Sequence, residues 1–195
     1  MVPDALIFDF DGTLVDSMPM HFRCWQLALA PTGLTFEHST FLTWGGVPTR
    51  EIVRRLSEAQ RIPVDVAEVV ARKESFTRKH GHEAEPIEPV IAIARAHRGR
   101  LPMAVATGGP RALIGPRLEA IGLQAWFDAV VTADDVSRGK PNPEPFLLAA
   151  QRLGVDPTRC RAYEDAPSGI ESARAAGMDV VDVATLIGRT GAPQP

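Results

Sequence analysis

The stretch Leu6-Ile7-Phe8-Asp9-Phe10-Asp11-Gly12-Thr13-Leu14 constrains this chain more than any other. An apolar, strand-forming run ends in two acids spaced two apart and passes at once into Gly12-Thr13. The pattern predicts a strand ending near Asp9 and a sharp turn permitted by Gly12, which leaves both carboxylates at the strand's C-terminal mouth. Open parallel α/β sheets bind their ligands at that mouth. Two acids held this close repel each other and need a cation, a shared proton, or both. The residues point to Asp9 as a nucleophile bound to Mg2+ and to Asp11 as a proton-shuttling acid/base. The bland alternative is a strand end with two solvated acids in a turn.

The second half of the chain alternates between short apolar runs and amphipathic stretches. Strands are expected at Met103–Thr107, Ala129–Thr132, Cys160–Glu164 and Asp179–Val183, with helices at Ile91–His97, Ala112–Ile121, Pro145–Leu153 and Ser168–Ala176. Such alternation implies an α/β fold, a doubly wound parallel sheet covered on both faces. Between the first strand and this region the chain reads as helical and lacks convincing strands. Helices are expected at Met20–Ala30, Thr49–Gln60 and Val64–His80, the last with Gly81 as its cap. The expected organisation is a core of residues 1–16 and 86–188, a helical insertion over 17–85, and a frayed tail at 189–195.

Composition narrows the function classes. At 195 residues and 45% hydrophobic, the chain can bury a sizeable core. A net charge of −3 without basic blocks gives no footprint for nucleic acid. No stretch approaches the roughly 20 apolar residues of a membrane helix, and no leader is evident at the start. The two cysteines, Cys24 and Cys160, are far apart and read as reduced, buried thiols. A soluble, cytoplasmic monomer without nucleic-acid or membrane partners is expected.

Three later strand ends carry polar groups of the kind phosphoryl chemistry requires. Thr107-Gly108-Gly109 precedes Pro110 and a helix, so a hydroxyl and backbone N–H groups can form an anion cradle, or merely a Gly-rich turn. Lys140, in a loop and followed by Pro141, can neutralise phosphate as a point charge, or simply be solvated. Glu164-Asp165 puts adjacent acids after an apolar strand, where hard oxygen ligands suit Mg2+. Asp165 could equally complement a helix dipole, but that does not explain Glu164. Asp9, Asp11, Thr107, Lys140, Glu164 and Asp165 are all expected at or just beyond C-terminal ends of parallel strands, and so in one cleft.

With these residues in place, the chain resembles the haloacid dehalogenase superfamily of phosphohydrolases. Asp9-Phe10-Asp11-Gly12-Thr13 matches the family's first motif, Thr107 the second, Lys140-Pro141 the third and Glu164-Asp165 the fourth. Within the superfamily the chain is most similar to the β-phosphoglucomutase-like group and its bacterial fructose-1-phosphatase-type members. Segments such as Trp126-Phe127-Asp128-Ala129 and Ala173-Arg174-Ala175-Ala176-Gly177-Met178 carry that closer likeness. The resemblance implies a Rossmann-like core, a small helical cap and a Mg2+-dependent phosphatase. A site that must exclude water from one step and admit it to the next suits a cap that opens and closes. The enzyme would hydrolyse small sugar phosphates, fructose 1-phosphate or similar, through an aspartyl-phosphate on Asp9. It also implies Mg2+ held by Asp9, the Asp11 backbone carbonyl, Asp165 and Glu164, with phosphate held by Thr107, Gly108, Gly109 and Lys140. His21 matches the group's cap-linker histidine, and Arg50 and Lys73 lie near positions where relatives place cationic cap residues. A solvated cationic helix face is the alternative, and it is preferred for Lys73. One departure is that relatives often carry a hydroxyl or amide side chain where this chain has Gly108-Gly109. A β-phosphoglucomutase uses nearly the same machinery and is the second reading. A receiver-like phospho-acceptor switch is a distant third, since receivers have no use for a cap.

Overall fold

The computed structural model describes residues 2–45 and 47–188, so the tail expected at 189–195 lies outside the described residues. The chain divides into two compact units. One contains the chain up to Asp16 and from Glu85 onward, and the other is Ser17–Ala84. The strands, in chain order, are β1 (Ala5–Phe8), β2 (Val15–Asp16), β3 (Glu85–Pro86), β4 (Met103–Ala106), β5 (Ala129–Val131), β6 (Cys160–Glu164) and β7 (Asp179–Asp182). The helices are α1 (Met18–Leu29), α2 (His38–Thr43), α3 (Thr49–Gln60), α4 (Val66–His80), α5 (Glu88–His97), α6 (Arg111–Ala120), α7 (Glu144–Leu153), α8 (Pro167–Ala175) and α9 (Val183–Leu186).

In the first unit, the described residues form a parallel sheet in the order β5-β4-β1-β6-β7. The central β1 is buried along its whole length, as expected for a continuous apolar run covered on both faces. The chain moves outward from β1 through β4 and β5, then returns to its other side with β6 and β7. Strand order therefore reverses beside β1, and such a switch point opens a crevice at the strand ends. Phe8 lies opposite Val105 on β4 and Tyr163 on β6. This register brings the residues just past β1 and β4, and the last residue of β6, to one end of the sheet.

One face of the sheet sets Ile7 and Val131 among smaller side chains. Ala104, Ala106 and Ala162 pack with Ala149, Ala150 and Ala173 from α7 and α8, and Phe146 fills the remaining space. Phe8 faces the other way, by strand alternation, and stacks on Tyr163 with ring centroids 4.8 Å apart.

The second unit is helical. Its core gathers Trp25, Leu29, Phe36, Phe41, Val53, Leu56 and Val69, with Trp25 and Phe36 meeting edge to face. The Asp65 carboxylate caps α4 by accepting from the amides of Ala67 and Glu68. Gly81 is the C-cap of α4, as expected. Its φ is −59°, and the chain continues into a short 3-10 turn over Gly81–Glu83. The short helices α2 and α9, and the antiparallel ribbon of β2 and β3 in the stretch read as strandless, are elements that the sequence reading lacks. Each ribbon strand is two residues long, too short for any periodicity to register.

Candidate active site

Asp9 follows directly on β1, and its amide donates to the Tyr163 carbonyl at 2.9 Å, which fixes it at the strand end. Gly12 then turns the chain with φ +93°, and its amide donates to the Val15 carbonyl at 2.8 Å. A side chain at residue 12 would be strained and would also overlap the Asp165 carboxylate. Gly169, in the first turn of α8, is demanded for the same steric reason, because a Cβ there would overlap the Glu164 carboxylate. Two glycines thus make room for two acids.

Lys140 links the acids. Its Nζ donates to Asp9 Oδ1 at 2.7 Å and to Glu164 Oε2 at 2.6 Å, and it lies 5.0 Å from the centre of the Phe146 ring. Burial alone would depress its pKa, but the Asp9 and Glu164 carboxylates outweigh burial and hold it above the usual lysine range. The other oxygen of Glu164 accepts from the amides of Asp165 and Ala166. Asp165 Oδ1 accepts from the Thr13 hydroxyl at 2.9 Å.

Asp9, Glu164 and Asp165 each offer an oxygen within 4.8 Å of the others. Three carboxylates share one ammonium here, so negative charge is in excess. Burial, then repulsion from Glu164, pushes Asp9 up to about 7 despite Lys140. Burial, then repulsion from Asp9, pushes Asp165 up to about 7 despite the Thr13 hydroxyl. Burial likewise raises Glu164, with Lys140 opposing. A buried set of hard oxygen donors with unbalanced charge fits Mg2+.

Thr107 follows β4 and is buried, with its amide donating to the Val131 carbonyl at 2.9 Å. Its hydroxyl oxygen accepts from the Gly109 amide at 3.1 Å. The start of α6 is less open than the sequence reading has it, because the Arg111 amide donates to the Asp134 carboxylate at 2.8 Å. Of the cradle, Gly108 is exposed.

Asp11 is only partly exposed, and the sequence reading missed its partner. Arg117 Nη2 lies 2.7 Å from Asp11 Oδ1, with both groups in the sheet unit. The signal for Arg117 was its spacing: it falls with Leu113, Ile114 and Leu118 on the buried face of α6. Thr13 was read as part of the motif but not as a hydrogen-bond donor to Asp165.

The three expected cap residues all lie in the helical unit. His21 Nδ1 and Lys73 Nζ are 3.4 Å apart, and the Lys73 ammonium lies 5.7 Å from the centre of the Trp25 ring. The preference for a solvated Lys73 is corrected here, since the residue is only 9% exposed. Its aliphatic stem lies on the inward side of α4 with Val69 and Thr77. Arg50, in the first turn of α3, is exposed.

A parallel sheet whose central strand ends in an Asp-x-Asp turn, faced by a buried lysine and a second acid pair, defines a hydrolase of the haloacid dehalogenase type. The family model described as haloacid dehalogenase-like hydrolase matches residues 3–177, and the chain belongs to that family. It is 40% identical to fructose-1-phosphate phosphatase YqaB of Escherichia coli, over 93% of this chain and 97% of that protein. It is 35% identical to hexitol phosphatase A of Escherichia coli, over 92% of this chain and 82% of the other. The crystal structure of a β-phosphoglucomutase from Clostridium difficile superposes with a TM-score of 0.81 at 21% identity, covering 92% of this chain and 86% of that one. That last likeness concerns the fold alone. The chain is thus an enzyme by family, which removes the non-enzymatic receiver alternative. Among the described residues, no helix is long and apolar enough to cross a membrane.

Proposed function

We propose that this hydrolase is a Mg2+-dependent phosphatase of small sugar or polyol phosphates, working through an aspartyl-phosphate on Asp9. The observation that carries the reading is the buried cluster of Asp9, Glu164 and Asp165 around Lys140 at the switch point of the sheet. The fructose-1-phosphate and hexitol phosphatases among its relatives support the substrate class.

Asp9, Asp165, Glu164 and the Asp11 backbone carbonyl would hold Mg2+, which offsets the repulsion between a carboxylate nucleophile and a phosphate dianion. In the first step an Asp9 oxygen bonds to phosphorus as the ester P–O bond breaks, and Asp11 gives its proton to the departing alkoxide. In the second, Asp11 takes a proton from water as that water attacks phosphorus, releasing phosphate and restoring the Asp9 carboxylate. Thr107, Gly108 and Lys140 bind the transferring oxygens. Because the Thr107 oxygen accepts from the Gly109 amide, its own proton is left to donate to phosphate. Gly109 supports that hydroxyl, and Glu164 orients Lys140. In this reading the helical unit serves as the cap, with His21, Lys73 and Arg50 as its candidate substrate contacts.

The test is phosphate release, with Mg2+ and with chelator, from fructose 1-phosphate, 6-phosphogluconate, glucose 6-phosphate and β-glucose 1-phosphate. Mg2+-dependent release from one or more is expected. Conversion of β-glucose 1-phosphate to glucose 6-phosphate without release, given glucose 1,6-bisphosphate as primer, would make the enzyme a mutase instead.

A further inference from the structure

The Arg117–Asp11 contact is not needed to explain the fold. Arg117 lies on the buried face of α6, its side chain only 8% exposed, directly after Pro116. Its guanidinium carbon sits 4.6 Å from the centre of the Phe10 ring, and Phe10 is itself fully buried. Nε and Nη2 find no aligned hydrogen-bond partner among the described residues. The group is therefore held by charge and by the aromatic face rather than by a hydrogen-bonded fork. Asp11 is the carboxylate that pairs with it, and a buried cation without a counter-charge is costly. An apolar residue would fill this face of α6 with less penalty, so the arginine's position is best explained by what it does to Asp11.

We infer that Arg117 is a positioning residue for the acid/base: by pinning one carboxylate oxygen against the Phe10 face, it fixes the direction in which Asp11 exchanges its proton. This rests on the phosphatase reading above. Asp11 lies three residues past the end of β1 and directly before Gly12, with its backbone in an isolated bridge to Val15, so its side chain is not oriented by the β1 ladder. An acid/base that must reach first a leaving oxygen and then a water gains from one fixed orientation, because angstrom-scale misplacement of a catalytic group is costly in rate.

The consequence depends on the leaving group. A sugar alkoxide needs a proton as it departs, whereas p-nitrophenolate leaves without one. Since kcat/KM covers steps up to release of the first product, it isolates this difference. The experiment compares kcat/KM for fructose 1-phosphate and for p-nitrophenyl phosphate in the wild type, R117M, R117K and D11N, with a thermal melt on each. In R117M the sugar-to-aryl ratio is expected to fall on the order of tenfold or more, as part of the ~10²–10⁴-fold that general acid catalysis supplies. R117K, which keeps charge but not the planar group, is expected in between and decides the matter if R117M does not fold. In a D11N background the R117M or R117K effect on the ratio should vanish. A ratio unchanged or increased in both Arg117 variants, with both substrates slowed alike, would reduce Arg117 to a structural role. Wild-type protein that releases phosphate neither from p-nitrophenyl phosphate nor from any of the four sugar phosphates named above would overturn the phosphatase reading and this inference with it; if it hydrolyses another of the four, that substrate replaces fructose 1-phosphate in the ratio.

Discussion

The interior of the sheet unit holds Asp9, Lys140, Glu164 and Arg117 beside its alanines and valines. The interior of the helical unit is built from Trp25, Leu29, Phe36, Phe41 and Val53, with Lys73 as its buried cation. Apolar burial stabilises in proportion to area and tolerates a substitution gradually. Buried charge is stable only while each partner is present, and removing one leaves the other stranded. The sheet unit accepts that vulnerability where the chemistry is proposed, while the cluster that packs α7 and α8 onto the sheet is apolar. The two units should therefore respond differently to mutation, to metal and to pH.

The largest difference is expected at Lys140. K140M leaves Asp9 and Glu164 facing each other without their shared ammonium, at a cost of about 3–5 kcal/mol in urea unfolding, with phosphate release lost as well. A loss under 1 kcal/mol would mean that the acids relax by protonation. Next in size is Mg2+. Metal that binds only the folded site should stabilise the protein by about 2.7 kcal/mol at a hundredfold excess over Kd, seen as a raised Tm. D165N should abolish that shift, and a shift that persists in D165N would place the metal elsewhere.

A smaller effect is expected at Asp135, outside the site but in the same unit. Its carboxylate accepts from Arg111, Arg152 and the Thr132 amide and hydroxyl. Burial works against the charged form there, but the bonds from Arg152 and Thr132 prevail and hold its pKa well below the usual carboxylate range. With the folded pKa below the unfolded one, the stabilisation is full above about pH 4 and is lost as pH falls through the folded value. D135N should cost about 1–2 kcal/mol at neutral pH, and the gap to wild type should narrow in acid. A gap independent of pH would contradict the charge account. The smallest effect is in the helical unit, where Arg61 ends α3 with φ +56°. R61G should relieve that strain and stabilise by about 0.5–1 kcal/mol without changing turnover. A destabilisation there would show that the arginine side chain outweighs its backbone strain.

Legibility in the sequence followed the same division. β1, β4 and β5 were readable because each is a continuous apolar run, and Cys160–Glu164, which carries Arg161 and Glu164, still matched residue for residue. The acids, Thr107 and Lys140 were readable because polar groups at successive strand ends have few structural reasons to be there. The site's inner connections were not. That Lys140 bonds Asp9 and Glu164, or that Thr13 bonds Asp165, depends on strands adjacent in space but distant in sequence. Arg117 and Lys73 were hidden because a cation on an amphipathic helix ordinarily reads as solvent-facing. The ribbon of β2 and β3 and the short α2 carry too few residues for a period to emerge.

The most direct test of the central claim is a rapid acid quench of the D11N variant with Mg2+ and p-nitrophenyl phosphate, whose leaving group needs no proton from Asp11, followed by mass spectrometry of the peptide containing Asp9. Slowing hydrolysis of the intermediate should let it accumulate. The account predicts the added mass of one phosphoryl group on Asp9, dependent on Mg2+ and absent from D9N. Turnover by the wild type with no phosphorylated Asp9 at any quench time, or with the group on another residue, would contradict it.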